Sequence, residues 1–372
     1  MIENIKKLLS IPFYAIGGIS YRFSGLLFNP LPRFVCFPVT FRCNSRCQMC
    51  NMWKTPDTID EISLVKIEEV FSNRLFRKVE EMVLHGGEPT LRKDIYKIYE
   101  IVVKSCPKIK RITSSTNGLN PKLVDKRVYE ILSVVNPKKV NLTFTVSIDG
   151  LKDTHEEIRG IKGGFDRAIE SIEVLKKYQS LYPIDIQIIT VIQPQNIKDL
   201  EELECLAKNY EVGLIFQPLM IDTFYDNSAS DPRLIFSENQ LKEYRLFIQN
   251  KLIQTKDPKS LYWKNFLSMM DGGKRTVPCA YDRYVLSLYP TGDVLPCATE
   301  NWFLFGSVYE KRIDDIWFNK KTKEIRKQMR QRVCPSCSFY CGAEYALKKE
   351  FFTYFSYYLK SSITSILNLS KK

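Results

Sequence analysis

The sequence predicts an α/β fold, a partial (β/α)6 TIM-like barrel followed by a small C-terminal Cys-rich domain. Three observations carry this. Six short strand-like runs alternate with segments of helical period between residues 34 and 220, the pattern of a parallel sheet with crossover helices. Polar motifs stand at the carboxyl ends of the first four runs, where a barrel builds its site. Cysteines then recur from residue 279 onward.

In chain order the strands are FVCFPVT, EEMVLHG, RITSST, LTFTVSID, IDIQIITVI and VGLIFQPL. Each is short, rich in β-branched and aromatic residues, and bounded by turn residues. Helical composition fills 62–76, 95–105, 123–134, 165–178 and 197–210. The motifs that follow the first four strands are CNSRCQMC, GGEP, TNG and SIDG. Gly, Asn, Asp and Pro punctuate turns anyway, but four motifs at four consecutive strand ends, one of them a Cys triplet, exceed what punctuation explains. The expected organisation is an apolar extension over 1–33, the barrel over 34–225, a helical linker over 226–276, the Cys-rich domain over 277–345 and an amphipathic helix over 346–372.

A chain of 372 residues corresponds to about two domains at roughly 150 residues each. With 44% hydrophobic and 26% charged residues, disordered, collagen-like and disulfide-stapled classes are excluded. Lys and Arg number 55 against 42 Asp and Glu, a surplus of +13, which favours an anionic partner without choosing one. Eleven Cys stand against two His. Imidazole is the usual ligand of catalytic zinc and the usual acid-base group at neutral pH, so sulfur chemistry is the better expectation. No secretory signal is evident, and the odd Cys count does not suit a complete disulfide framework. The expected compartment is reducing and cytoplasmic. No apolar run reaches the roughly 18 to 20 residues of a spanning helix.

Cys43, Cys47 and Cys50 form C-x3-C-x2-C directly after a strand. Three thiolates this close can converge on one metal centre and leave a coordination position open. A zinc knuckle or a simple electron carrier would also explain the cysteines, but not GGEP one strand later. At this point the sequence resembles the radical S-adenosylmethionine enzymes, whose signature is this spacing with a hydrophobic residue, here Met49, before the third Cys. The resemblance implies that Cys43, Cys47 and Cys50 bind three irons of a 4Fe-4S cluster. The fourth iron would take the amino and carboxylate groups of S-adenosylmethionine. It further implies that Gly86, Gly87, Glu88 and Pro89 hold the methionine amino group, and that Ser147, Asp149 and Arg159 meet ribose or carboxylate. Asn117 and the edge of the fifth strand, 190–192, are carried over more weakly.

Cys279 and Cys297 frame C-x12-G-x4-C, and Cys334, Cys337 and Cys341 follow as C-x2-C-x3-C. This region resembles the SPASM extension and its short form, twitch, which bind auxiliary 4Fe-4S clusters. Too few cysteines remain for the two clusters of the long form. Cys279, Cys297, Cys334 and Cys337 suffice for one, with Cys341 a spare thiol, an alternative ligand or a remnant. A zinc ribbon remains the alternative, because four thiolates suit zinc equally. Cys36, Cys106 and Cys205 read as small buried hydrophobes. His85 and His155 lie beside the cofactor motifs without an assigned role.

The basic run 320–332 has one apolar face and reads as a solvated helix rather than a nucleic-acid patch. Both termini are amphipathic or apolar, which fits an interfacial membrane helix at the inner face of the membrane and equally a face packed on protein. The resulting expectation is an enzyme that cleaves S-adenosylmethionine reductively to a 5'-deoxyadenosyl radical, using a reductant such as flavodoxin or ferredoxin. That radical would abstract hydrogen from a peptide, sugar or lipid-linked substrate. A non-catalytic iron-sulfur or zinc protein is the alternative.

Overall fold

The computed structural model describes residues 30–56, 58–255, 259–297 and 303–349. These fall into two compact units. One comprises 31–244 and 284–327, the other 245–283 and 328–349.

The larger unit is built on strands β1 (Phe34–Thr40), β2 (Glu81–Gly86), β3 (Arg111–Thr116), β4 (Asn141–Ser147), β5 (Ile184–Ile192) and β6 (Gly213–Pro218). They pair in parallel in the order 6-5-4-3-2-1, as the alternating pattern requires. The crossovers are α1 (Leu64–Phe71), α2 (Ile95–Ser105), α3 (Pro121–Val134), α4 (Lys152–Arg159), α5 (Gly164–Gln179) and α6 (Leu200–Asn209). All six strands agree with the sequence expectation. Helix α4 was not foreseen, since its eight residues, KDTHEEIR, carry too few apolar positions to show a period. The helix expected over 62–76 divides into α1 and a 3-10 segment, Arg74–Lys78, at Asn73, whose side chain accepts from Leu75 N.

Side chains alternate across each strand. On β1, Val35, Phe37 and Val39 face the helices, where Phe37 meets Phe71 and Phe71 meets Phe76 with ring centroids 6.2 and 4.5 Å apart. On β3 the helix-facing Ile112, Ser114 and Thr116 are buried, whereas Arg111, Thr113 and Ser115 on the other face are only half-buried. The same alternation on β5 leaves Gln187, Ile189 and Val191 half-buried. The concave side is therefore polar and partly open. Pro38 cannot donate to a ladder, and the pairing of β1 with β2 shifts register between Pro38 and Thr40, at the end that delivers the cysteine loop.

Strands β7 (Val285–Leu288), β8 (Asp293–Leu295) and β9 (Gly306–Ser307) extend the same sheet beyond β1, β7 in parallel and the others antiparallel. Part of the Cys-rich region thus continues the barrel sheet. Helix α7 (Glu238–Gln254) falls within the helical linker expected over 226–276, and α9 (Ile313–Phe318) and α10 (Lys320–Arg332) follow β9. Ile325 and Met329 of α10 are buried as expected, but so is Arg326, whose guanidinium lies 4.4 Å from the Trp317 ring centroid.

The smaller unit contains α8 (Lys259–Met270) and α11 (Tyr340–Lys349). Tyr262 and Trp263 pack on Tyr340 at 4.7 and 6.1 Å between centroids, and Asn265 Oδ1 accepts from Thr276 N and Oγ1.

One expectation fails at the level of single residues. Cys205 is exposed, because α6 turns Leu200, Leu203 and Ala207 inward and position 205 falls off that stripe. No helix among the described residues is long and apolar enough to cross a membrane. The amphipathic ends, residues 1–29 and 350–372, lie outside the described residues.

Candidate active site

The loop after β1 and the exit of β2 are fitted together by two glycines. Gly86 has φ +135°, and a Cβ there would stand 2.2 Å from Thr40 O. A Cβ on Gly87 would stand 2.2 Å from Arg42 O. Only Gly allows this approach. It is used by Gly87 N donating to Thr40 O at 2.8 Å and Glu88 N to Arg42 O at 2.7 Å. Glu61, which the sequence did not single out, accepts from Thr40 Oγ1 and Phe41 N at 2.6 and 2.8 Å. Arg92, also missed, donates to Val39 O and Ile62 O at 2.6 and 2.8 Å. The exit of β1 is held from both sides.

Glu88 and Pro89 are buried. The Glu88 carboxylate accepts from Asn117 N at 2.6 Å, Thr116 Oγ1 at 2.9 Å and Thr90 Oγ1 at 2.7 Å. Burial raises its pKa, and these hydrogen bonds oppose the rise. The side chain thus ties the exits of β2 and β3 together. Asn117 continues the chain of contacts, donating from Nδ2 to Asn44 Oδ1 at 2.8 Å and lying 3.9 Å from Cys43 Sγ.

Asp149 and Arg159 form the second brace. Asp149 is fully buried. Its Oδ2 accepts from Arg159 Nε at 2.7 Å and lies 2.6 Å from Nη2, while Oδ1 accepts from Val191 N at 2.8 Å. Arg159 O accepts from Arg46 N at 2.9 Å and from Ser45 Oγ at 3.2 Å. Burial alone would lower the Arg159 pKa, but Asp149 and the Cys47 and Cys43 thiols raise it above its ordinary value. A fixed positive charge therefore stands beside the cysteines. Asn196, another missed residue, donates to Asp149 O and Val191 O at 3.0 and 2.8 Å. Ser147 is half-buried at the end of β4. Met49 packs with Cys47, Ile158 and Leu234, and Cys50 lies against the same cluster.

The three loop thiols lie close enough to act on one another. Burial pushes Cys43 up to about 11 and Cys50 up to about 12, and each is raised further by Cys47. Among the described residues no three His, Cys, Asp or Glu side chains close to metal-binding geometry. Cys47 Sγ instead faces Ser45 Oγ at 3.1 Å. The donor set nevertheless suits an iron-sulfur cluster: three thiols on one loop, a buried guanidinium beside them, and a glycine pair that removes side-chain bulk from the adjoining strand exit. Ligation would require these thiols to lose protons.

Both histidines are held neutral. Burial pushes His85 down to about 4, and its Nε2 lies 3.0 Å from Cys36 Sγ on the concave side of β1 and β2. Cys36 is buried as expected but has this polar neighbour. Sequence could not show the pair, because it depends on strand register. His155 is pushed down to about 3, by burial first and then by Arg159, and its Nδ1 accepts from Asp149 N at 3.2 Å. Its folded pKa lies below the ordinary 6.5. Its contribution to stability is therefore complete above pH 6.5 and is lost as pH falls toward 3. The expected loss is about 2 kcal/mol between pH 6.5 and 5. Urea midpoints at pH 7 and pH 5 should show a shallower pH slope for His155→Gln than for the unsubstituted protein.

In the smaller unit, Cys279, Cys334 and Cys337 surround Arg275, which the sequence did not reveal. Arg275 Nη1 donates to Cys337 O and Phe339 O, each at 3.1 Å, and lies 3.7 Å from Cys337 Sγ. Burial lowers its pKa, while Cys279, Cys337 and Cys334 raise it, with a net upward shift. Burial pushes Cys334 up to about 12 and also raises Cys279. A Cβ on Gly342 would stand 2.6 Å from Cys279 Sγ, so Gly lets α11 approach that thiol. Cys297 is buried at the end of β8 in the larger unit. The Cys341 side chain lies outside what is described.

Residues 37–205 match the model of the radical SAM superfamily, and residues 279–342 match that of an iron-sulfur cluster-binding domain, SPASM. The chain belongs to the radical SAM superfamily. It is an enzyme whose domains imply an S-adenosylmethionine-binding 4Fe-4S cluster and an auxiliary iron-sulfur cluster. Among similar proteins, the antilisterial bacteriocin subtilosin biosynthesis protein AlbA of Bacillus subtilis is 22% identical over 85% of this chain and 68% of its own length. The AdoMet-dependent heme synthase of Methanosarcina barkeri is 31% identical over 50% of this chain and 49% of its own length. Thus the chain spans about half of that synthase. Streptococcus suis SuiB bound to S-adenosylmethionine shares the fold, with TM-score 0.57, 16% identity, and coverage of 84% of this chain and 71% of SuiB. SuiB bound to the precursor peptide SuiA gives the same TM-score.

Proposed function

We propose that this radical SAM enzyme is a maturase that oxidatively modifies a peptide. The observation that carries the reading is the likeness to AlbA, which runs through both the barrel and the Cys-rich region. The fold shared with peptide-bound SuiB supports it. So does the concave face, where the half-buried Thr113, Ser115 and Gln187 offer hydrogen-bonding groups to backbone amides.

In this reading Cys43, Cys47 and Cys50 hold the S-adenosylmethionine-binding cluster, and Arg159 offsets its negative charge. Gly86 and Gly87 keep the exit of β2 free of side chains, and Pro89 starts the turn that follows. Glu88, Asn117 and Asp149 hold the strand exits and the cysteine loop in register, and Ser147 faces the concave side. Met49 anchors the loop in its apolar cluster. When bound and reduced, the cofactors supply a 5'-deoxyadenosyl radical that takes hydrogen from a substrate carbon. The strands beneath position that carbon and limit access of water and stray hydrogen donors. Cys279, Cys334 and Cys337 hold the auxiliary cluster around Arg275.

The test uses anaerobically reconstituted protein with dithionite, S-adenosylmethionine and short peptides encoded beside the gene. A peptide substrate should raise 5'-deoxyadenosine formation at least tenfold over the substrate-free rate and lose two hydrogens by mass. Stimulation by nucleotide sugars or lipid-linked substrates and by no peptide would overturn the reading.

A further inference from the structure

We propose that the outer face of the cysteine loop, built on Trp53, is the docking site of an acidic one-electron carrier protein. The inference rests on the functional reading above, in which the cluster held by this loop must receive an electron from outside at each turnover.

Trp53 is half-buried, and two exposed cations flank its ring. Arg46 Cζ lies 4.9 Å and Lys54 Nζ 5.3 Å from the ring centroid. Arg46 Nη1 is anchored on the backbone of the loop itself, donating to Ser45 O at 2.8 Å and Cys43 O at 3.4 Å. Its charged head is therefore fixed at the residue that carries one of the thiols. Arg42, one position before Cys43, is also exposed. Among the described residues none of these three cations forms an ion pair. Asp231, whose carboxyl Lys54 helps hold below its ordinary range, is committed to Arg233 at 2.6 Å.

Three features therefore meet on one short segment: thiols that hold the electron acceptor, positive charge without an ion pair among the described residues, and an aromatic ring with two cations against it. Electron transfer falls steeply with distance, so a donor must dock where the acceptor comes nearest the surface. A surface of unpaired cations selects an acidic partner and accelerates its encounter. Exposed pairs of this kind are screened by salt, so the association should depend strongly on ionic strength.

The probe is an acidic bacterial flavodoxin, with binding to the reconstituted full chain measured by biolayer interferometry between about 50 and 300 mM salt. Binding should weaken steeply with salt. Arg46→Glu/Lys54→Glu should slow association at low salt at least about tenfold and flatten the salt dependence. Lys104→Glu/Lys208→Glu carries the same charge change on exposed positions of α2 and α6 and should leave both within twofold. Lys54→Glu alone should slow cluster reduction by flavodoxin while leaving reduction by dithionite unchanged. Equal binding by the two doubly substituted proteins, or salt-independent binding, would overturn the docking face. Loss of iron at Cys43, Cys47 and Cys50 in the unsubstituted protein would overturn the functional reading instead, while leaving the association measurement intact.

Discussion

Replacing Cys47 with alanine should remove about four of the roughly eight irons expected of two 4Fe-4S clusters and abolish reductive cleavage of S-adenosylmethionine. The reason is stoichiometric. With three thiols on one loop and one coordination position reserved for the cosubstrate, the site has no spare ligand. Ser45 Oγ, 3.1 Å from Cys47 Sγ, and the Arg159 guanidinium, which interacts electrostatically with that thiol, are poor substitutes for a thiolate. Iron analysis and anaerobic detection of 5'-deoxyadenosine check both parts. Cys297→Ala should retain some cleavage, because the radical forms at the other cluster. The triple Cys43, Cys47, Cys50 to Ala protein should keep about four irons. Zinc without iron in that protein would remove the auxiliary-cluster assignment and leave a structural zinc site. Equal cleavage by Cys47→Ala and the unsubstituted protein would return the chain to a non-catalytic role.

The second large effect is on stability. Arg159→Met leaves Asp149, which has no solvent-accessible area, without its counter-charge. Removing one partner of a buried pair costs about 3–5 kcal/mol. The pair also joins the exit of β4 to α4 and, through Val191 N, to β5, so the loss should appear in global unfolding. Chemical denaturation of the reconstituted protein measures it. Asp149→Leu combined with Arg159→Met should recover part of the loss, because no uncompensated charge remains buried. A cost below about 1 kcal/mol for Arg159→Met would place the pair among ordinary surface bridges.

The strands and the cysteine spacing are legible in the sequence because both are local. Alternation of apolar residues fixes which segments become strands. A loop of C-x3-C-x2-C carries its ligands within eight residues, so no long-range folding decision is needed to bring them near one another. The parallel order also follows, since helices between strands leave little other topology. The partnership of Cys279 with Cys334 and Cys337 was legible from spacing and resemblance, but not its organisation around a buried guanidinium.

Tertiary structure decided what depends on register and on long-range approach. Glu88 and Asp149 are cofactor contacts by resemblance, and only the tertiary structure shows that their carboxylates accept from Asn117, Thr116 and Thr90 in one case and from Arg159 and Val191 in the other. Glu61, Arg92 and Asn196 carry no local signal, because each acts on backbone of a distant segment. Cys36 meets His85 only because neighbouring strands pair in one register, and a slip of one residue would turn them to opposite faces. Arg275 reaches the thiols near residue 337 across 62 positions of chain. Local composition thus determined the sheet, the loop and the class of chemistry. Packing determined which polar groups are free to meet a ligand, because a buried carboxylate or guanidinium must satisfy its hydrogen bonds with whatever the fold brings beside it.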